Sequence, residues 1–159
     1  MIQSRILKLL ASIALPLGLG AIAGLFTADA LPGWYETLNK PSFNPPNGLF
    51  GPVWTILYLL MGISFFLIWE LNPSKKRNLA IIVFLFQLGL NFCWIFIFFY
   101  YKLIGLALVE IVFLWMSIFS MLYFFHNIKP LATYMNIPYL LWVTFAMILN
   151  TSYYFLNRT

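Results

Sequence analysis

Residues 9–28 run for 20 positions without a charge, and four comparable stretches follow at 51–69, 78–101, 103–125 and 130–157. Only Glu110 interrupts any of them. A helix rises about 1.5 Å per residue, so roughly 20 apolar residues cross a hydrocarbon core about 30 Å thick. Four runs reach that length directly, and the second does so once Phe50 is included. Asp29 closes the first run; Glu70, Pro73 and Lys75-Lys76-Arg77 close the second. Most connections are a few residues long, which sets consecutive helices antiparallel and adjacent. The expected fold is an all-α integral membrane protein, a bundle of five transmembrane helices forming one domain over residues 1–159.

The remaining composition agrees. Charged residues make up 8% of the chain, about a third of the roughly 25% that a water-facing surface requires. Nine basic residues oppose four acidic ones, but they are dispersed or flank apolar runs. They read as topology and headgroup charges, so no nucleic-acid partner is expected. Arg5, Lys8, Lys75, Lys76, Arg77 and Lys129 fall on the N-terminal side, against Lys40, Lys102 and Arg158 on the other. That asymmetry predicts a cytoplasmic N-terminus, in what is expected to be a bacterial cell membrane. The first run is too long for a typical signal core and is read as a span. The lone cysteine, Cys93, excludes an intrachain disulfide and offers no metal set.

One connection is unlike the others. "KPSFNPPNGLFGPVW" at 40–54 is rich in proline, asparagine and glycine. Pro41, Pro45 and Pro46 lack an amide donor and have fixed φ, so the segment loses less entropy on ordering. Asn44-Pro45 and Asn47-Gly48 are turn signals, and Gly51-Pro52 is expected to start the second helix. Phe43, Leu49 and Phe50 supply apolar anchors. The segment is either a preordered cap over one end of the bundle or an interfacial connector.

Helical spacing gathers the distinctive side chains. Trp54, Tyr58, Phe65 and Trp69 form a stripe on the second span. Asn91 and Trp94 sit together on the third with Phe98 a turn beyond. Pro138, Trp142, Ala146 and Asn150 follow at intervals of four on the fifth, above Tyr153 and Tyr154. Trp94, Trp115 and Trp142 lie too deep for interfacial girdle residues alone. Asn91 and Asn150 are ligand contacts or interhelical hydrogen-bonding groups. Pro138 is expected to kink its span. Glu110 would be costly against lipid and is expected to face the interior, reach an interface or be protonated. No second mid-span acid accompanies it, which argues against a proton-coupled carrier. His126 lacks neighbouring ligands for a metal. Gly20 and Gly24 form a GxxxG pair suited to close packing within the bundle or between protomers. Leu149, Tyr153 and Arg158 match only a loose sterol-contact pattern.

No Ser-His-Asp set, phosphate loop, zinc set or carboxylate pair is present. The residues themselves describe an aromatic-lined pocket for a flat, largely apolar ligand. Three segments also carry a resemblance: "WYETLNKPSFNPPNGLFGPVWTILY" at 34–58, "NFCW" at 91–94 and "PYLLWVTFAMILN" at 138–150. The chain resembles, over essentially its whole length, the TspO family of tryptophan-rich sensory proteins related to the mitochondrial translocator protein, also called the peripheral benzodiazepine receptor. The resemblance implies a five-helix bundle, usually dimeric, that binds porphyrins and isoquinoline-carboxamide ligands beneath the first loop. The ligand-binding residues it implies are Trp34, Tyr35, Trp54, Tyr58, Asn91, Trp94, Glu110, Trp142 and Ala146. Family members are associated with sterol binding, tetrapyrrole transport, stress signalling and light-dependent porphyrin breakdown. Span five ends in "YYFLNR" rather than a fuller sterol motif, so sterol binding is doubtful here. A receptor or carrier for a porphyrin such as protoporphyrin IX is expected, with no cofactor required. The alternatives are a porphyrin-degrading protein using Trp54 and Trp142 as catalytic groups, and a structural or regulatory scaffold.

Overall fold

A computed structural model describes residues 2–28 and 30–158; Asp29, which closes the first apolar run, lies outside the described residues. Six α-helices form: α1 (Ile2–Ala28), α2 (Asn47–Trp69), α3 (Lys75–Ile95), α4 (Ile104–His126), the short α5 (Pro130–Tyr134) and α6 (Ile137–Asn157). A π-helical turn, Phe96–Tyr100, extends α3, and a 3₁₀ turn, Trp34–Thr37, lies in the first connection. Five segments are long and apolar enough to cross a membrane, with α5 and α6 together making the fifth. The protein is a multi-pass, all-α integral membrane protein.

Local chemistry explains the boundaries. Ser74 caps α3, its hydroxyl accepting the Arg77 amide at 3.2 Å. The second helix begins at Asn47, earlier than Gly51-Pro52 suggests. Asn47-Gly48 therefore forms a first helical turn, and Pro52 sits inside the helix. The fifth span is broken rather than bent. Asn136, fully buried, interrupts it, and its amide donates to Ser64 Oγ at 2.6 Å and to the Ala132 carbonyl at 2.8 Å. Pro138 consequently falls in the first turn of α6, where a missing amide proton costs little.

Within the bundle α1 packs mainly on α2, α3 on α4, and α4 on α6. Lipid tails are as apolar as leucine, so this association rests on fit rather than on the hydrophobic effect. Two glycines show how close the fit is. A Cβ on Gly62 would stand 2.6 Å from Ile13 Cα and 2.8 Å from the Ser12 carbonyl oxygen, and one on Gly20 would overlap the Tyr58 ring. The half of the bundle near the α2–α3 connection is solid. Phe65 stacks on Phe84 at 4.3 Å and Phe84 on Phe125 at 6.2 Å, with Met61, Ile68 and Met121 buried around them. The other half is hollow.

Candidate functional site

The hollow half holds a cavity of about 500 Å³. Four of the five spans and the first connection build it, and α4 contributes no lining residue. From α2, Trp54 stacks on Tyr58 at 5.3 Å and 27°; from α3, Trp94 stacks on Phe98 at 5.3 Å and 25°. Ala146, Leu149, Asn150 and Tyr153 of α6 close another wall, and α1 supplies small residues from Gly20 to Ala28. Among the described residues, none that lines it is charged. Indole and phenol rings in such a cavity present rigid stacking surfaces with a few polar edges.

Buried hydrogen bonds hold these rings in place. The Tyr58 hydroxyl donates to Asn91 Oδ1 at 2.7 Å. Trp94 Nε1 donates to Asn150 Oδ1 at 3.1 Å, and Asn150 Nδ2 donates to the Ile104 carbonyl at 3.0 Å. Asn150 thereby ties α3 and the start of α4 to α6. Behind Tyr58 lies a second polar layer, in which the Tyr139 hydroxyl donates to Gln87 Oε1 at 2.9 Å. Each of these bonds removes a rotameric freedom that a ligand would otherwise have to freeze.

The first connection is fastened to α6 at two places. The Tyr153 hydroxyl lies 2.6 Å from both the Tyr35 hydroxyl and Asn44 Oδ1, and Tyr35 donates to Asn44 Oδ1 at 3.0 Å. Further out, the Asn39 amide donates to Asn157 Oδ1 at 2.8 Å while Asn157 Nδ2 donates to the Asn39 carbonyl at 3.1 Å. Glu36 accepts from Lys40 and Asn47 within the connection itself. The Lys40 bond, with Asn47 second, holds the Glu36 carboxyl below its usual range. Burial raises the Tyr35 phenol above its usual range.

Of the nine binding residues implied by resemblance, Tyr35, Trp54, Tyr58, Trp94 and Ala146 line this cavity. Trp34 stands behind it, edge-on to Phe98 at 5.7 Å. Asn91 is 1% exposed and sits behind Tyr58. Glu110, on α4, has both carboxylate oxygens buried without a hydrogen-bond partner, within electrostatic reach of Tyr139 and Cys93. Trp142 lines a separate outer groove with Val53, Ile56, Leu57, Pro138, Leu141 and Phe145. Trp54 and Trp142 therefore do not share a cavity. His126 is exposed and meets only the Tyr134 ring, edge-on at 6.4 Å.

Sequence reasoning missed the α1 wall. Its signal was present in the spacing of Gly20, Gly24 and Ala28, of which only the glycine pair was read, and only as a close-packing motif. It also missed Gln87 and Asn136, two amides in apolar runs whose polarity alone marked them for interhelical bonding. The Gly20–Gly24 pair faces inward, Gly20 against Tyr58 and Gly24 onto the cavity.

Comparison with known proteins places this architecture. The model of the TspO/MBR family matches residues 12–156. The chain is 42% identical over 154 residues to the tryptophan-rich protein TspO of Archaeoglobus fulgidus, covering 96% of this chain and 99% of that one. It is 37% identical over 156 residues to the protein of the same description from Chlorobaculum tepidum, covering 98% and 99%. With the human translocator protein it shares 36% identity over 119 residues, 74% of this chain and 70% of the relative.

Proposed function

The chain belongs to the TspO/MBR family, and on that footing we propose that it is a membrane receptor or carrier for a flat hydrophobic ligand, with a porphyrin such as protoporphyrin IX as the best fit. The carrying observation is the cavity of about 500 Å³ between the Trp54–Tyr58 and Trp94–Phe98 stacks, with no charge among its described lining residues. The proline-rich connection serves as its cap, with Tyr35 as the part that touches the ligand. Trp54, Tyr58, Trp94 and Ala146 form the walls; Trp34 and Asn91 support them. Glu110 acts on the polar layer behind Tyr58 rather than on the ligand. Trp142 joins the site only if α6 shifts.

Porphyrin breakdown by the Trp54–Trp142 pair is the weaker alternative, because of the two only Trp54 lines the cavity. Sterol contact through the end of span five is also disfavoured. Leu149 and Tyr153 are buried, while Arg158 sits over Phe155 at 4.5 Å. The protein is proposed to act as a homodimer in a bacterial cell membrane, with its N-terminus cytoplasmic and the capping connection outside. The basic end supports that orientation: Arg5 pairs with Glu70 at 2.9 Å, and Arg77 donates to the Trp69 carbonyl at 2.9 Å.

The test is protoporphyrin IX titration of the purified protein, first anaerobic and dark, then in light and air. Saturable dark binding weakened by Trp54→Leu supports the receptor. Loss of the porphyrin band that requires protein, oxygen and light would instead favour breakdown. Absence of saturable binding would reject porphyrin as the ligand.

A further inference from the structure

We propose that the ligand enters this cavity sideways from the lipid phase, through a gap between the C-terminal end of α1 and the N-terminal end of α2; the inference rests on the cavity being the ligand site. The two helices run antiparallel and in close contact where Gly62 meets Ser12 and Ile13, and again where Gly20 meets Tyr58. Beyond that point the glycines of both helices border open space. A Cβ on Gly24 or on Gly51 would find nothing within 4 Å. Ala21, Gly24 and Ala28 of α1 and Gly51 and Thr55 of α2 line the cavity and are all exposed, as residues around an opening are. From Ala28 to Ala21 the gap descends about 10 Å along the helix, from the interface into the hydrocarbon region.

The route under the connection is fastened by contrast. Tyr35 is 1% exposed, joined to Asn44 and Tyr153, and Asn39 is bonded twice to Asn157. Opening there breaks several hydrogen bonds, whereas among the described residues no hydrogen bond joins the lining groups of α1 and α2 across the gap. The hydroxyls at its rim are already satisfied within their own helices, Thr27 by the Gly24 carbonyl at 3.1 Å and Thr55 by the Gly51 carbonyl at 2.9 Å.

The lining chemistry also selects an orientation. With no charged residue among the described lining, taking an ionised group into the depth of the cavity carries a large desolvation cost. The ligand is therefore a membrane-dissolved amphiphile that inserts its flat apolar part and leaves its charged edge at headgroup level, near Ala28 and the connection. A porphyrin carrying its carboxylates on one edge is such a molecule.

The experiment follows protoporphyrin IX binding to the full chain in lipid nanodiscs by quenching of tryptophan fluorescence. One variant is Gly24→Leu. The other, in a Cys93→Ser background, is Asn39→Cys with Asn157→Cys, joined by a short bismaleimide to lock the connection. Lateral entry predicts that Gly24→Leu slows association by about tenfold for a barrier raised by ~1.4 kcal/mol and slows dissociation as well, whereas a loss of fit in the cavity alone would speed dissociation. The locked connection should bind at close to the unlocked rate. Entry blocked by the lock and indifferent to Gly24→Leu would overturn the proposal. If the wild type binds no porphyrin, the porphyrin assignment fails separately, and the route is read from Thr55→Cys in Cys93→Ser. Labelling by bilayer-soluble pyrene maleimide in preference to a charged, impermeant maleimide supports the gap; the reverse preference overturns it.

Discussion

Asn157, the last residue of α6, bonds the Asn39 backbone in both directions through its side chain: Oδ1 accepts the Asn39 amide at 2.8 Å and Nδ2 donates to the Asn39 carbonyl at 3.1 Å. The pair joins residues far apart in sequence and closes the connection over the end of the bundle. Asn157→Ala removes both bonds, each worth about 0.5–1.5 kcal/mol net. Hydrogen exchange at residues 35–44 should accelerate, while the thermal midpoint of the whole protein moves little. An unchanged exchange profile would mean that Tyr153 alone holds the connection.

A pH dependence should follow from Glu36. Its carboxyl is held below the usual range, chiefly by Lys40 and then by Asn47. A depressed acid contributes order above its unfolded value, about pH 4.3, and loses it as pH falls through the lower folded value. Exchange in residues 36–47, corrected for intrinsic rates, should stay protected to about pH 4 and rise below it. Glu36→Gln should flatten that profile.

Trp54 and Trp142 should separate in binding assays. Trp54 lines the cavity and Trp142 the outer groove. Loss of a stacked aromatic costs about 1–3 kcal/mol by analogy with base stacking, so Trp54→Leu should raise Kd at least about fivefold. Trp142→Leu should change it less than about twofold, corresponding to under ~0.4 kcal/mol. Equal losses would show that α6 rearranges around the ligand.

The glycines should divide as well. Gly62→Ala places a methyl against the α1 backbone, which cannot step aside without moving the helix. A loss of about 1–3 kcal/mol is expected, the usual cost of overpacking. Gly24→Ala meets open space and should leave unfolding in detergent unchanged.

Asn150 should matter for stability beyond one ordinary interhelical bond. Membrane hydrogen bonds average about 0.6 kcal/mol. Asn150→Leu, however, strands the Trp94 indole N–H in a buried site, at about 1–3 kcal/mol, and removes the second bond to the Ile104 carbonyl, which keeps its partner within α4. Reversible unfolding in mixed micelles measures the difference, and a loss below that range would imply that water reaches the indole.

Much of this was legible beforehand because membrane depth leaves a backbone few choices. An uncharged run of span length must be helical to satisfy its amides, and all five were located from charge alone. Spacing also placed Trp54 with Tyr58 and Trp94 with Phe98, since residues three or four apart share a face. The break at Asn136 was not legible from Pro138, because what holds it is Ser64 on another helix.

The sequence by itself determined that the chain spans a membrane five times, which end is basic, and which aromatics sit on common helix faces. Those properties depend on local backbone satisfaction and on helical periodicity. Only the tertiary structure decided which faces meet. It turned Trp54 into the cavity and Trp142 away from it, put Asn91 behind Tyr58, and brought Gly20 against the same ring while leaving Gly24 and Gly51 beside open space. The physical reason is that lipid solvates every apolar face equally well. Which of them pack inward is settled by shape and buried hydrogen bonds between helices distant in sequence, and no local pattern encodes those.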